Sequence, residues 1–156
     1  MRFIKNHKMK ISLLLTLVLI LSMSITAFAE TSNIVTGRAT SEMTVHVEDG
    51  SYAYSNSVDI TFSTSNTYGT ATAGEVKLPL YQHDGDIVII IIIIVIAPSG
   101  NIYYLSPNEG NTATIDFNQV EPISGTWSVQ ACCYSPEGGQ PYGDAIYYPV
   151  SLTLIQ

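Results

Sequence analysis

Apolar and polar residues alternate with a period of two along most of this chain, and one segment departs from the pattern by containing no polar residue. Val58, Ile60 and Phe62 alternate with Asp59 and Thr61, and Val76, Leu78 and Leu80 with Lys77, Pro79 and Tyr81. Ala113, Ile115 and Phe117 form a third such face, and Val150, Leu152 and Leu154 close the chain with a fourth. Between them, Trp127, Val129, Ala131 and Cys133 share one side of a segment whose other side carries Ser128, Gln130, Cys132 and Tyr134. Each reads as a β-strand with one face on a core. The exception is Ile87 to Ala97, IVIIIIIIVIA, eleven apolar residues of which ten are β-branched. Side chains branched at Cβ are stiff and pack well on a pleated surface, so the run predicts a strand, with a buried helix as the alternative. It is too short for a membrane helix, which needs about 20 apolar residues. With no polar side, it is expected to run centrally in a sheet with both faces at least partly covered and Ile91 in the core.

Turn signals separate these segments. Asp84-Gly85-Asp86 precedes the isoleucine run, Pro98-Ser99-Gly100-Asn101 follows it, and loops are expected at Ser65–Gly74 and Ser135–Asp144. Thr44–Val47 and Ile102–Leu105 add short strand candidates, while 30–41 reads as a flexible lead-in. The pattern predicts an all-β domain over 42–156, an antiparallel β-sandwich of seven to eight strands.

Residues 1–29 have the form of a secretory signal peptide. Arg2, Lys5, Lys8 and Lys10 precede the largely apolar Ile11–Ile25, and Ala27-Phe28-Ala29 fits a cleavage site. Cleavage before Glu30 predicts a secreted, extracellular product, and an uncleaved anchor is the alternative. The leader takes four of the six basic residues with it, leaving Arg38 and Lys77 against thirteen acids, a formal charge of −11. Such a balance repels phosphate backbones and anionic lipid, so neither nucleic acid nor a membrane surface is an expected partner. It suits a calcium ion or a basic protein, or serves solubility alone. The lysine-rich leader and the lack of any Asn-x-Ser/Thr acceptor point to bacterial export.

The span Tyr81–Tyr104, YQHDGDIVIIIIIIVIAPSGNIYY, resembles the His-x-x-Asp, hydrophobic-strand and Pro-Ser-Gly-turn pattern of P-type domains, found behind subtilisin-like proteases. It is similar also to bacterial pre-peptidase C-terminal modules, whose Gly-x-Trp strand matches Gly125-Thr126-Trp127. The resemblance covers about half of the chain after Glu30, and the apolar strand is longer than the pattern. It implies a jelly-roll-like sandwich with a non-catalytic accessory or recognition role, often stabilised by calcium.

Candidate chemistry is sparse. Asp84 and Asp86 flank Gly85 at a strand entry and are candidate calcium ligands, with Asp144 as the third by analogy; calcium needs six to eight oxygens. Alternatively the two aspartates guard an aggregation-prone strand. Tyr134, Tyr142, Tyr147 and Tyr148 surround the last long loop and are the candidate ligand-binding residues, for an extracellular protein or a glycan; ordinary half-buried positions are the alternative. His46 and His83 are the histidines left after the leader, and no Gly-x-Ser-x-Gly elbow accompanies them, so no enzyme is expected. Cys132 and Cys133 are adjacent; alternation puts Cys133 in the core and Cys132 on the more polar side, either as a free thiol or bridging to a second chain in a homodimer. The expected function is a secreted, non-catalytic recognition module, the alternative a self-assembling extracellular structural protein.

Overall fold

The computed structural model describes residues 33–63 and 69–156; the leader expected at 1–29 lies outside them. The described residues form an all-β antiparallel sandwich. Its strands are β1 (Ile34–Arg38), β2 (Met43–Glu48), β3 (Tyr52–Tyr54), β4 (Val58–Phe62), β5 (Thr70–Lys77), β6 (Leu80–Gly85), β7 (Ile89–Ile96), β8 (Ile102–Leu105), β9 (Thr112–Pro122), β10 (Gly125–Tyr134), β11 (Tyr142–Tyr147) and β12 (Ser151–Ile155). They make a four-stranded sheet in the order β1-β12-β5-β9, a five-stranded sheet in which β3 and β4 share one edge of β10 and β7-β8 follow on the other, and a three-stranded sheet, β2-β11-β6.

The three-stranded sheet carries the same chain segments as the four-stranded one. β1 leads to β2, β5 to β6 and β11 to β12, and both sets pair in the same lateral order. Proline sits at two of these passages, Pro79 and Pro149, where a missing N–H interrupts a ladder. The Tyr148–Pro149 peptide is cis. Across the bend the chains remain stitched, Ala39 N–H donating to the Val150 carbonyl at 2.9 Å and Tyr148 N–H to the Pro79 carbonyl at 3.0 Å.

Twelve strands replace the seven or eight expected, for two physical reasons. Pro79 divides a run that alternates continuously into β5 and β6, and three strands, β1, β3 and β11, arise where composition gave no apolar period. The lead-in contains β1, paired with β12 from Ile34↔Ile155 to Arg38↔Ser151; β11 begins within the loop expected at 135–144, and β5 begins within the one expected at 65–74, of which 65–68 lie outside the described residues. Within β1, Gly37 is required by close approach, because a Cβ there would stand 2.6 Å from Cγ2 of Ile60 in β4.

The core gathers the apolar side of each alternating strand, with Trp127, Met43, Ile60, Leu78, Ile93 and Leu152 among its inaccessible side chains. Each contributes about 1.5–3 kcal/mol by leaving water. Trp127 satisfies its indole N–H on the Ile123 carbonyl at 3.1 Å. The isoleucine strand β7 runs between β10 and β8, as expected of an interior strand. Only one of its faces is fully covered, however. Ile90, Ile93 and Val95 enter the core, whereas Ile89 and Ile92 are exposed on the far side and Ile91 is half-buried. Ile91 is not in the core as expected because of a β-bulge: Cys133 faces Ile90 and Cys132 faces Ile92, so that Ile91 is an extra residue with no partner on β10.

One buried acid closes an edge of the sandwich. Glu121 of β9 is inaccessible to solvent and accepts hydrogen bonds from Ser99 Oγ at 2.5 Å, Asn101 Nδ2 at 2.6 Å and the Tyr103 hydroxyl. These donors lie in the β7–β8 hairpin, so the carboxylate ties the five-stranded sheet to the four-stranded one. Burial pushes the Glu121 carboxyl up, but the bonds from Ser99, Tyr103 and Asn101 together hold it below the ordinary carboxylate value. Burial, and then the bond and charge of Glu121, push the Tyr103 hydroxyl up to about 12.

Candidate functional site

The outer face of the three-stranded sheet collects the polar side of MTVHVE in β2 and of its neighbours. Cross-strand pairing places Asp84 (β6), Asp144 (β11) and His46 (β2) in one row, each the partner of the next. Side chains of paired residues share a face. His46 Nδ1 lies 2.6 Å from Asp144 Oδ1 and its Nε2 lies 3.4 Å from Glu48 Oε1. A carboxylate at each ring nitrogen favours the imidazolium, which donates from both. The hydrogen bond to Asp144 raises the His46 pKa above 6.5, partial desolvation opposes it, and Glu48 reinforces it. Tyr142 stacks on the imidazole, with ring centroids 5.3 Å apart and planes inclined by 29°.

His46, Asp84 and Asp144 border an open basin of about 560 Å³, lined also by Thr44, Tyr54, Gln82 and Ile146. Gly85 allows β6 to come this close to β11: its φ is +75°, and a Cβ there would lie 2.2 Å from the Tyr142 carbonyl oxygen. The hollow between Glu75, Lys77 and Asn108 is larger, about 650 Å³, but contains no ring to stack on and is spanned by the Lys77–Glu75 ion pair at 2.9 Å. The basin is the better supplied with chemistry.

The four candidate tyrosines do not come together. Tyr142 stacks on His46, and Tyr134 packs on Tyr52 on the outer side of the five-stranded sheet, with centroids 4.7 Å apart. Tyr148 stands at the bend, edge-on to Tyr81. Tyr147 is 1% exposed and belongs to the core, where it offers a ligand no surface. The reason is parity: β11 alternates, so Tyr142 and Tyr147, five residues apart, point to opposite faces.

The three aspartates divide similarly. Asp84 and Asp144 are neighbours on the basin floor, but Asp86 turns to the loop after β10, where its Oδ2 accepts the Gln140 N–H at 3.3 Å. Asp144 is already engaged by His46, and Asp84 Oδ1 accepts the Gly85 N–H at 2.9 Å. Among the described residues no three His, Cys, Asp or Glu side chains are placed to hold a metal ion. The three aspartates are thus not brought to one site: Asp84 and Asp144 stand together and Asp86 apart.

Cys133 is inaccessible and Cys132 is 7% exposed on the opposite face, both as free thiols. Burial and then the neighbouring Cys132 push the Cys133 thiol up to about 12, far from a reactive thiolate. His46, like Thr44, Tyr54 and Gln82, is a basin residue to which sequence reasoning gave no role. Its signal was its place in β2, between Thr44 and Glu48 on the polar side of an alternating strand.

No protein-family model matches the chain, and no curated protein matches it. Among solved structures it overlaps with the crystal structure of FlhE (TM-score 0.38, 13% identity, 79% of this chain and 96% of that one). It overlaps also with the family 32 carbohydrate-binding module of C. perfringens NanJ in complex with galactose (TM-score 0.33, 8% identity, 78% and 100%). A third is an infectious bursal disease virus protein, Gt strain (TM-score 0.32, 14% identity, 81% and 33%). Overlaps this loose carry no function across.

Proposed function

We propose that the chain is a secreted, non-catalytic binding module, and that the basin on β2, β11 and β6 takes a polyhydroxylated ligand, a glycan. The observation that carries this reading is the combination in one open basin of carboxylate acceptors, one of them fixed by the His46 imidazolium, and an exposed aromatic ring. Asp144 and Asp84 can accept from sugar hydroxyls, Gln82 and Thr44 can both donate and accept, Tyr54 offers a ring from the lining to the apolar face of a pyranose, and Tyr142, stacked on His46, offers a second beside it. The carboxylates are held before a ligand arrives, Asp144 by His46 and Asp84 by its own turn, which reduces the ordering cost of binding. The accessory role implied by the resemblance of Tyr81–Tyr104 points the same way.

Screening against a glycan array, followed by calorimetric titration with the best ligand, tests the proposal. Asp144→Asn and Tyr142→Ala are expected to weaken binding about tenfold each, the equivalent of one charged hydrogen bond or one stacked ring, with Tyr148→Ala unchanged. Failure of every glycan to bind, or binding indifferent to both substitutions, would overturn it.

A further inference from the structure

A second surface is independent of the basin. On the outer side of the five-stranded sheet the paired rows run Tyr52–Tyr134–Ile89, Tyr54–Cys132–Ile92, Gln130–Ile94–Tyr104 and Asp59–Ser128–Ile96–Ile102. A sandwich strand ordinarily turns its polar side chains to water, whereas here isoleucine and tyrosine occupy that side of β3, β7 and β8. Tyr52, Tyr54 and Tyr104 are 66%, 65% and 69% exposed, and Ile102, Ile89 and Ile92 are 50%, 46% and 36% exposed. At the usual size of these side chains, the six leave on the order of 600–700 Å² in water, more than the ~300–600 Å² of the largest patch on a typical monomer and close to the ~800 Å² that each partner gives to a standard interface.

Charge selects the occupant. The strands supply one charged side chain to this face, Asp59 at its edge, already accepting a hydrogen bond from Ser128. The chain from Glu30 onward carries −11, so a cationic partner would be drawn to the acids elsewhere and gains nothing here. Two copies repel everywhere except across a neutral face.

We infer that a second copy of this chain covers the outer face of the five-stranded sheet, in a two-fold contact that places Ile92, Ile102 and Tyr104 of one copy against the same surface of its partner. Each residue then acts twice, as in any isologous interface. The basin opens on a different sheet; Tyr54 alone borders both surfaces. Cys132 is flanked in the middle of the face by Tyr54 and Ile92, so the association needs no disulfide.

Sedimentation of the purified protein across a concentration series, with and without reductant, tests this. A dimer that survives reductant and tightens as salt screens the net charge is expected, and Tyr104→Glu and Ile102→Glu should each weaken it about a hundredfold or more, because the substitution sets like charges against each other. Both positions are at least half exposed in the single chain, so these variants should keep the circular dichroism of the parent, and Asp84→Asn should leave the dimer intact. Four outcomes would overturn the inference: a monomer at roughly 100 µM, where even an interface of ~10 µM affinity is mostly filled, a dimer unmoved by either glutamate, a dimer dissolved by reductant, or open polymers. Glycan binding by Tyr104→Glu is expected to be unchanged, so this test and that of the basin fail separately.

Discussion

The two outer faces of this sandwich are built from opposite material. On β2, β11 and β6 the solvent side carries Thr44, His46, Glu48, Asp84 and Asp144, and almost every polar group there has a partner. On β3, β7 and β8 the solvent side is Tyr and Ile, with Asp59 of neighbouring β4 as the single charge. Both faces sit over a dry core, so folding alone explains neither. The first resembles a surface that exchanges hydrogen bonds with small polar ligands; the second has the composition of an interface centre, depleted of charge and rich in aromatic residues. A face can therefore be assigned a task from how far it departs from the alternation that folding requires.

The largest test of that contrast lies within β7, whose two sides belong to the core and to the neutral face. Ile93→Asp should abolish folding or cost several kcal/mol, against a total stability of about 5–15 kcal/mol, because its carboxylate would be buried without a partner. Ile92→Asp, on the exposed side, should cost about 1 kcal/mol. Urea denaturation at low protein concentration measures both, and equal losses would erase the distinction between the two sides.

Next comes the contrast between acids in water and the one acid out of it. Glu121→Ala should cost about 3 kcal/mol, since it leaves Ser99, Asn101 and Tyr103 without their acceptor. The folded-state pKa of Glu121 lies below the unfolded value, so its contribution is present above that unfolded value, about 4.3, and is lost as pH falls through the folded one. Thermal melts of the parent and of Glu121→Gln should therefore converge on acidification below about pH 4; parallel curves would show that the site is not ionised in the fold.

The smallest effect belongs to the basin. The His46 pKa is raised, so its pairing with Asp144 contributes below the unfolded value of 6.5 and is lost as pH rises through the folded value. Because His46 is largely exposed, the readout is the titration itself. Its ring-proton midpoint by NMR should lie above 6.5 and fall towards it in Asp144→Asn.

Much of the sandwich was legible in the chain because alternation is imposed by burial: Val58–Phe62, Ala113–Phe117, Trp127–Cys133 and Val150–Leu154 all take the sides their sequence assigns. What escaped was set by contacts far away in sequence. Nothing in Thr36-Gly37-Arg38 signals a strand until β12 is beside it. The Asp84-Gly85-Asp86 triplet looked like one cluster, yet the positive φ at Gly85 comes where the chain leaves the basin for the Gln140 loop. Tyr147 was grouped with Tyr142 because both lie near the same loop, and the parity of β11 separates them. Cys133 is in the core and Cys132 on the other side, as alternation requires, but the polar side turned out to be an apolar one.

The bulge at Ile91 gives the isoleucine run a tolerance that an ordinary strand lacks. Adding or removing one residue in a strand normally inverts every side chain beyond the change. Here the spare residue has already been absorbed, with Ile90 and Ile93 both facing inward on either side of it. Deleting one isoleucine would straighten the ladder to Ile90, Ile92, Ile93 in strict alternation, and every later residue would keep its neighbour on β8 and β10. A run of near-identical residues thereby tolerates the loss of one member without any change in which side chains face the core.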